Sequence, residues 1–319
     1  MTAPLVYGYK WDPQIMKAAK EEKKLLRITV AIPGGSKDHE CNLNCIFCFT
    51  DGGKKKHDQR VVTNDDCLRF FKEAREFAYD PELLNYFFVS EGEPTLNENL
   101  VDVLYETSKF GGTMTIFTNL IHLTDEQVKA FREIKNLFVC GKLYGMRPET
   151  NDYLTGQVGS YEKIMANIEK LKEAGLAKEG RLGVQCVATS TNYDELPDIF
   201  KWGRKNNIIP HIMQYRAQGR GNLFPEFSLT LRKSEDFFNQ CKACDAENNI
   251  FGSPYFISEE CDVPGTNLYL KSDGDVQVCA GDTRSYGNYF ETSVAQMMDS
   301  QFFRDVADNY AGCPWVYEK

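Results

Sequence analysis

Residues 25–50 read LLRITVAIPGGSKDHECNLNCIFCFT: a β-rich run, a Pro33-Gly34-Gly35 break, then three cysteines close together. The run 25–32 is apolar and β-branched enough for a buried strand, which the proline and glycines end. Outward from it the chain alternates. A helix over 13–25 comes before, opened by Asp12 as N-cap with Pro13 at the first helical position. A helix over 64–78 comes after. Strands follow at 85–90, 113–118, 137–143, 181–190 and 208–215, separated by helices at 97–110, 125–134, 161–174 and 194–206. Thr124 with Gln127 makes a capping box, Ser160 is the expected cap of the helix from Tyr161, and Gly175 ends that helix. Six strands, each but the last followed by a helix, predict an α/β fold whose parallel sheet closes into a partial (β/α)6 barrel. Such folds keep their chemistry at the carboxyl ends of the strands. The three cysteines lie just there.

Composition narrows the function. The 319 residues are 42% hydrophobic and 26% charged, with 37 Lys and Arg against 46 Asp and Glu, for a formal net charge of −9. Mean hydropathy is −0.44 and the pI is about 5.2. The longest basic run is Lys54-Lys55-Lys56, so neither nucleic acid nor an anionic membrane is an expected partner. With no apolar stretch long enough to span a bilayer and no signal-like start, a cytoplasmic location is expected. Eleven cysteines stand against four scattered histidines, so any bound metal is expected on thiolates. The texture changes past residue 230. We expect a helical extension at 1–25, a barrel at 26–232 and a small α+β module at 233–319.

Cys41, Cys45 and Cys48 have C-x3-C-x2-C spacing, with Phe47 before the last. Three such thiolates can hold three irons of a 4Fe–4S cube and leave the fourth iron open to a substrate atom. A structural zinc would need a fourth thiol or imidazole, for which only His39 and His57 stand close. The plain alternative is three reduced cysteines packed in a core. Lys37, Asp38, Glu40 and Asp51 make surroundings too polar to suit it.

The same segment resembles the radical S-adenosylmethionine (radical SAM) superfamily, and the resemblance runs in order from about residue 26 to 220. Gly92-Glu93-Pro94 follows the second strand, where that family carries Gly-Gly-Glu-Pro; Glu91 stands where the first glycine is expected. Thr118-Asn119 ends the third strand, and GKLYGMRPETNDYLTG is similar to the family's fourth-strand signature, with Lys142 where serine is more usual. The resemblance implies a 4Fe–4S cluster on Cys41, Cys45 and Cys48, and SAM held by Gly92, Glu93, Pro94 and Asn119, with the Phe47 backbone at the adenine. Lys142 would meet the SAM carboxylate or, equally, reach solvent. It also implies a reducing partner such as flavodoxin or ferredoxin.

Downstream, Cys261, a hairpin with Asp273-Gly274 at its turn, Cys279 and Cys313 resemble the twitch form of the SPASM auxiliary-cluster module, which implies a second 4Fe–4S cluster. Cys241 and Cys244 fall on a helix, where packing and ligation both remain open. Cys67 reads as core, and Cys140 has no clear role. Period two puts Val184, Cys186 and Ala188 on one face of the fifth strand, and the resemblance places that face inside the barrel. Cys186 would there be a catalytic hydrogen donor; a small buried hydrophobe is the other reading.

The expected function is radical abstraction of hydrogen from a small polar substrate (sugar, aminocyclitol or nucleoside), ending in oxidation or epimerisation. About 40 residues precede the cysteine motif, too few for a leader-peptide domain. A peptide-modifying maturase is the alternative enzyme. A non-catalytic iron–sulfur electron carrier is the alternative of another class, though a carrier needs neither the Glu93 element nor six strand–helix units.

Overall fold

The computed structural model describes residues 11–34, 41–50, 52, 60–89, 91–248 and 263–310. Helix α1 (Pro13–Glu21) opens where Asp12 accepts the Gln14 N–H at 2.8 Å. Six strands follow: β1 (Arg27–Ala31), β2 (Asn85–Val89), β3 (Thr113–Thr118), β4 (Leu137–Lys142), β5 (Leu182–Ala188) and β6 (Ile209–Gln214). Each pairs in parallel with the next. Between them lie α2 (Asn64–Arg75), α3 (Leu100–Ser108), α4 (Asp125–Glu133), α5 (Pro148–Thr155), α6 (Ser160–Glu173) and α7 (Leu196–Lys205), with α8 (Leu231–Glu247) after β6. The expected parallel α/β partial barrel is present.

The remaining elements are β7 (Asn267–Leu270), β8 (Asp275–Gln277), β9 (Ser285–Asn288), α9 (Val294–Asp299) and α10 (Gln301–Asn309). The β7–β8 pair is the expected hairpin, with Gly274 at φ +84° in its turn. Its first strand also pairs in parallel with β1, Arg27 opposite Asn267. One sheet therefore runs β6-β5-β4-β3-β2-β1-β7-β8-β9, and β1 lies inside it.

Alternation sorts the side chains into two layers. Ile28, Val30, Tyr86, Phe88, Ile116 and Val139 point outward into the main core under the helices. Phe87, Phe117, Phe138, Cys140 and Ile209 form a separate inner cluster. At roughly 1.5–3 kcal/mol for each large side chain fully buried, the far more populous outer layer carries most of the hydrophobic stabilisation. The inner face is more polar: Asn267 Oδ1 accepts from Arg27 Nε at 3.2 Å and Thr29 Oγ1 at 2.9 Å. His211 is buried on the same face.

Two local features differ from the sequence expectation. Helix α5 was not foreseen. The α6 cap is Gly159, at φ +77°, and Ser160 is the first helical residue. Its capping acceptor is Asp152, on α5, which receives Gly159 N at 2.6 Å, Tyr161 N at 2.9 Å and the Ser160 hydroxyl at 2.7 Å. Between α9 and α10, Ser300 breaks the helix, its hydroxyl accepting Phe303 N at 3.1 Å to start α10. Among the described residues no helix is long and apolar enough to cross a membrane.

Candidate active site

The loop Cys41–Thr50 is fixed from both sides through its backbone. On one side Thr155 and Leu154, at the end of α5, accept the Asn44 and Ile46 N–H groups, both at 3.1 Å. Gly156 sits at φ +67°, and a Cβ there would stand 2.3 Å from Asn44 O, so conformation and space both exclude a side chain. On the other side Cys48 O accepts the Arg220 N–H at 2.9 Å. Gly219, at φ +55°, would put a Cβ 2.6 Å from the same oxygen. Phe47 pins the middle, its ring edge-on to Tyr144 at 4.9 Å and Tyr215 at 6.5 Å.

Cys41, Cys45 and Cys48 are half-buried free thiols. Burial pushes Cys41 up and Cys45 up to about 12, while the Lys142 charge opposes both rises. Burial pushes Cys48 up as well, but hydrogen bonds from Thr50 and Gly52 outweigh it and bring that thiol below its ordinary value. Backbone N–H groups reach two of the sulfurs, Leu43 to Cys41 at 3.5 Å and Gly52 to Cys48 at 3.2 Å. Asn119 Nδ2 approaches Cys41 Sγ at 3.7 Å and donates to Asn42 Oδ1 at 2.7 Å.

Glu93 organises the strand ends around this loop. Its fully buried carboxylate accepts Thr95 N at 3.1 Å, Thr95 Oγ1 at 2.9 Å and Thr118 Oγ1 at 2.5 Å on one oxygen. Its other oxygen accepts Asn119 N at 2.7 Å. Gly92 precedes it, and Pro94 opens a short 3-10 turn capped by Glu93 itself. Lys142 shares the inner face with Phe138 and Cys140. Desolvation pulls its ammonium down, and the charge of Glu93, joined by those of the three cysteines as thiolates, more than offsets that. The lysine therefore belongs to the site electrostatically, although among the described residues no carboxylate pairs with it.

Cys186 is a correction. It is fully buried on the helix-facing side of β5, packed with Leu196, Ile199 and Phe200 and taking a hydrogen bond from Asn192 at 3.5 Å. Its neighbours Gln185 and Val187 take the inward positions, so the thiol cannot return hydrogen to a radical inside the barrel. Cys140 is the inward cysteine, in the inner apolar cluster. Cys241 packs in the α7–α8 core beside Phe237, and Cys67 lies buried on α2.

Cys279 sits just past β8, half-buried, its sulfur accepting Gly281 N at 3.3 Å and Asp282 N at 3.2 Å. Cys261 and Cys313 lie outside the described residues. Between the Cys41–Cys48 loop and the Cys279 turn is a cavity of about 510 Å³, walled by Phe49, Thr50, Glu91, Gln218, Asn222, Tyr269, Lys271, Gln277, Ala280 and Thr283 among others. Glu91 pairs there with Lys271 at 3.4 Å and with the Ser272 hydroxyl, so the residue that departs from the family pattern ties the second strand to the hairpin. Sequence reasoning missed α5 and the 217–222 loop; the Gly-Arg-Gly at 219–221 was the available signal for the latter.

The donor set fits a cube better than a single ion. Among the described residues no three His, Cys, Asp or Glu converge on one metal position. Three thiols spread along one clamped loop, with N–H groups aimed at their sulfurs and a cation nearby, suit separate irons of one cluster.

Against known families, residues 39–203 match the radical SAM superfamily and residues 261–314 match SPASM, an iron–sulfur cluster-binding domain. The chain is 25% identical over 304 residues to the tungsten-containing aldehyde ferredoxin oxidoreductase cofactor-modifying protein of Pyrococcus furiosus, across 85% of this chain and 82% of that protein. It is 26% identical over 270 residues to the sporulation killing factor maturation protein SkfB of Bacillus subtilis, across 81% and 62%. Streptococcus suis SuiB bound to S-adenosylmethionine shares the fold, with TM-score 0.67 at 16% identity over 90% of this chain and 69% of SuiB.

Proposed function

Because the chain belongs to the radical SAM superfamily and carries a SPASM-type iron–sulfur domain, we propose that it oxidises a polar substrate held between its two cysteine sites. The superfamily implies a 4Fe–4S cluster and SAM, and the SPASM domain implies auxiliary iron–sulfur binding. When bound, these groups supply reductive cleavage of SAM to a 5′-deoxyadenosyl radical and an electron acceptor. Cys41, Cys45 and Cys48 hold the first cluster; Cys279, with Cys261 and Cys313, holds the second. Glu93, sealed from solvent and locked by Thr95, Thr118 and Asn119, presents one carboxylate oxygen with a single donor among the described residues, leaving room for the SAM ammonium. Lys142 takes the SAM carboxylate.

The observation that carries this reading is the cavity, walled by Thr50 from one cysteine loop and by Ala280 and Thr283 beside Cys279. Its volume is that of a small-molecule site, and its wall mixes the Glu91–Lys271 pair with Gln218, Asn222 and Gln277, which suits a polar guest. Such a guest would lose a hydrogen atom, then an electron and a proton, with Glu91 the carboxylate at hand for the proton. Oxidation is favoured over epimerisation because Cys186 faces the helices. The likeness to SkfB, named as a maturation protein, supports a peptide as the second reading.

The test is anaerobic reconstitution followed by SAM and dithionite. The protein is expected to release 5′-deoxyadenosine and methionine; protein with full iron and sulfide that releases neither ends the reading. A product two mass units lighter than its substrate, with no deuterium taken from deuterium oxide, separates oxidation from epimerisation.

A further inference from the structure

Thr50 touches both halves of the site with one hydroxyl. Its Oγ1 lies 3.3 Å from Cys48 Sγ and donates to the Glu91 carbonyl at 2.9 Å. The side chain also lines the cavity, next to Glu91. A hydroxyl has one proton to give and two lone pairs to receive with. While Cys48 is a thiol the count closes: the S–H donates to Thr50, and Thr50 donates to Glu91 O. A thiolate bound to iron has no S–H. The 3.3 Å contact then sets two acceptors against each other, unless the Thr50 hydroxyl turns from Glu91 to the sulfur. A hydrogen bond to an anionic acceptor is the stronger of the two on offer, so the turn is favoured.

We propose that Thr50 is a positioning residue for the cluster: with iron on Cys48 its hydroxyl donates to the sulfur, and the released Glu91 carbonyl becomes an acceptor for the substrate. The inference rests on the superfamily reading of the Cys41–Cys48 loop. It makes Thr50 a link between the cavity and the redox centre, because one hydroxyl lies within reach of both Cys48 Sγ and the Glu91 carbonyl beside the cavity. A hydrogen bond to a ligating sulfur offsets charge that is greatest in the reduced cluster, and so raises its reduction potential.

Thr50→Val keeps the shape and removes the O–H; Thr50→Ser keeps the O–H. Iron and sulfide content is measured first, then the midpoint potential of the cluster whose EPR signal responds to SAM. The valine variant is expected to shift to a more negative potential and, at a fixed reductant potential, to release 5′-deoxyadenosine about tenfold more slowly. The serine variant is expected to match the wild type. A valine variant with the wild-type potential overturns the inference and leaves the superfamily reading intact. Wild-type protein that takes up no iron and sulfide overturns both. Should the valine variant fail to load, Thr50→Ala makes the same comparison, and loss of the cluster in both hydroxyl-free variants but not in serine supports the role.

Discussion

Cys48 and Cys279 are met by the same device in different settings. Backbone N–H groups point at each sulfur, from Gly52 at 3.2 Å in the first case and from Gly281 and Asp282 at 3.3 and 3.2 Å in the second. Around Cys48 the loop hangs on distant neighbours, the α5 carbonyls and the Arg220 N–H. Around Cys279 the support is local: its own N–H donates to Asp282 O at 3.2 Å, and Arg284 grips the Asp282 carboxylate at 2.6 Å. A non-local loop makes its cysteine geometry a property of the whole barrel, while a tight turn carries its own. Damage far away should therefore disable the first site and spare the second.

The largest test removes the first set outright. Cys41, Cys45 and Cys48 together replaced by alanine should take the iron from about eight atoms to about four, and abolish SAM cleavage. Cys279→Ala is the mirror image: iron should fall while the EPR response to SAM survives. A variant losing both responses would show the two sites to be one cooperative unit. Gly156→Ala probes the non-local support, where the left-handed conformation alone costs about 1–3 kcal/mol before the collision with Asn44 O. The denaturation midpoint should fall, and the SAM-responsive cluster should be lost while auxiliary iron stays.

A smaller effect comes from the inner face. Burial, helped by the Arg27 charge, holds folded His211 down to about 3 from its ordinary 6.5. The unfolded chain takes up a proton below 6.5 that the folded one refuses, so stability is full above that pH and falls with acid towards 3. One such group contributes a slope of up to about 1.4 kcal/mol per pH unit. His211→Gln should flatten the dependence of the denaturation midpoint between pH 6.5 and about 5. The smallest change is Cys186→Ala, expected to cost about 1 kcal/mol of packing with SAM cleavage retained. Loss of a product carrying solvent deuterium, at full iron content and with SAM cleavage retained, would return that thiol to the chemistry.

Strands β1 to β6 were legible because buried parallel strands announce themselves as short apolar runs between glycines, prolines and capped helices. The Cys41–Cys48 motif was legible from spacing alone. Helix α5 was not, because it buries Asn151 and Thr155 beside Leu154 and so lacks an apolar stripe. Its fit comes from hydrogen bonds instead: Tyr144 N to Asn151 Oδ1 at 3.0 Å, and Asn151 Nδ2 to Ser160 Oγ at 2.9 Å. The direction of Cys186 failed for another reason. Alternation says which residues share a face, never which face looks inward, and both sides of β5 have buried residues. Lys142 could be placed only once Glu93 and the cysteine loop stood beside it.

The pairing of β1 with β7 joins Arg27 to Asn267 across most of the chain. At about 5–20 residues per second of synthesis, the ribosome needs roughly 12–48 s to bring the second strand out after the first. Through that interval one edge of β1, the strand that leads into the cysteine loop, has no partner, and open strand edges recruit other chains. Newborn copies are thus most prone to aggregate before their last sixth emerges, and slowing translation late in the message should lower the yield of native protein more than slowing it early.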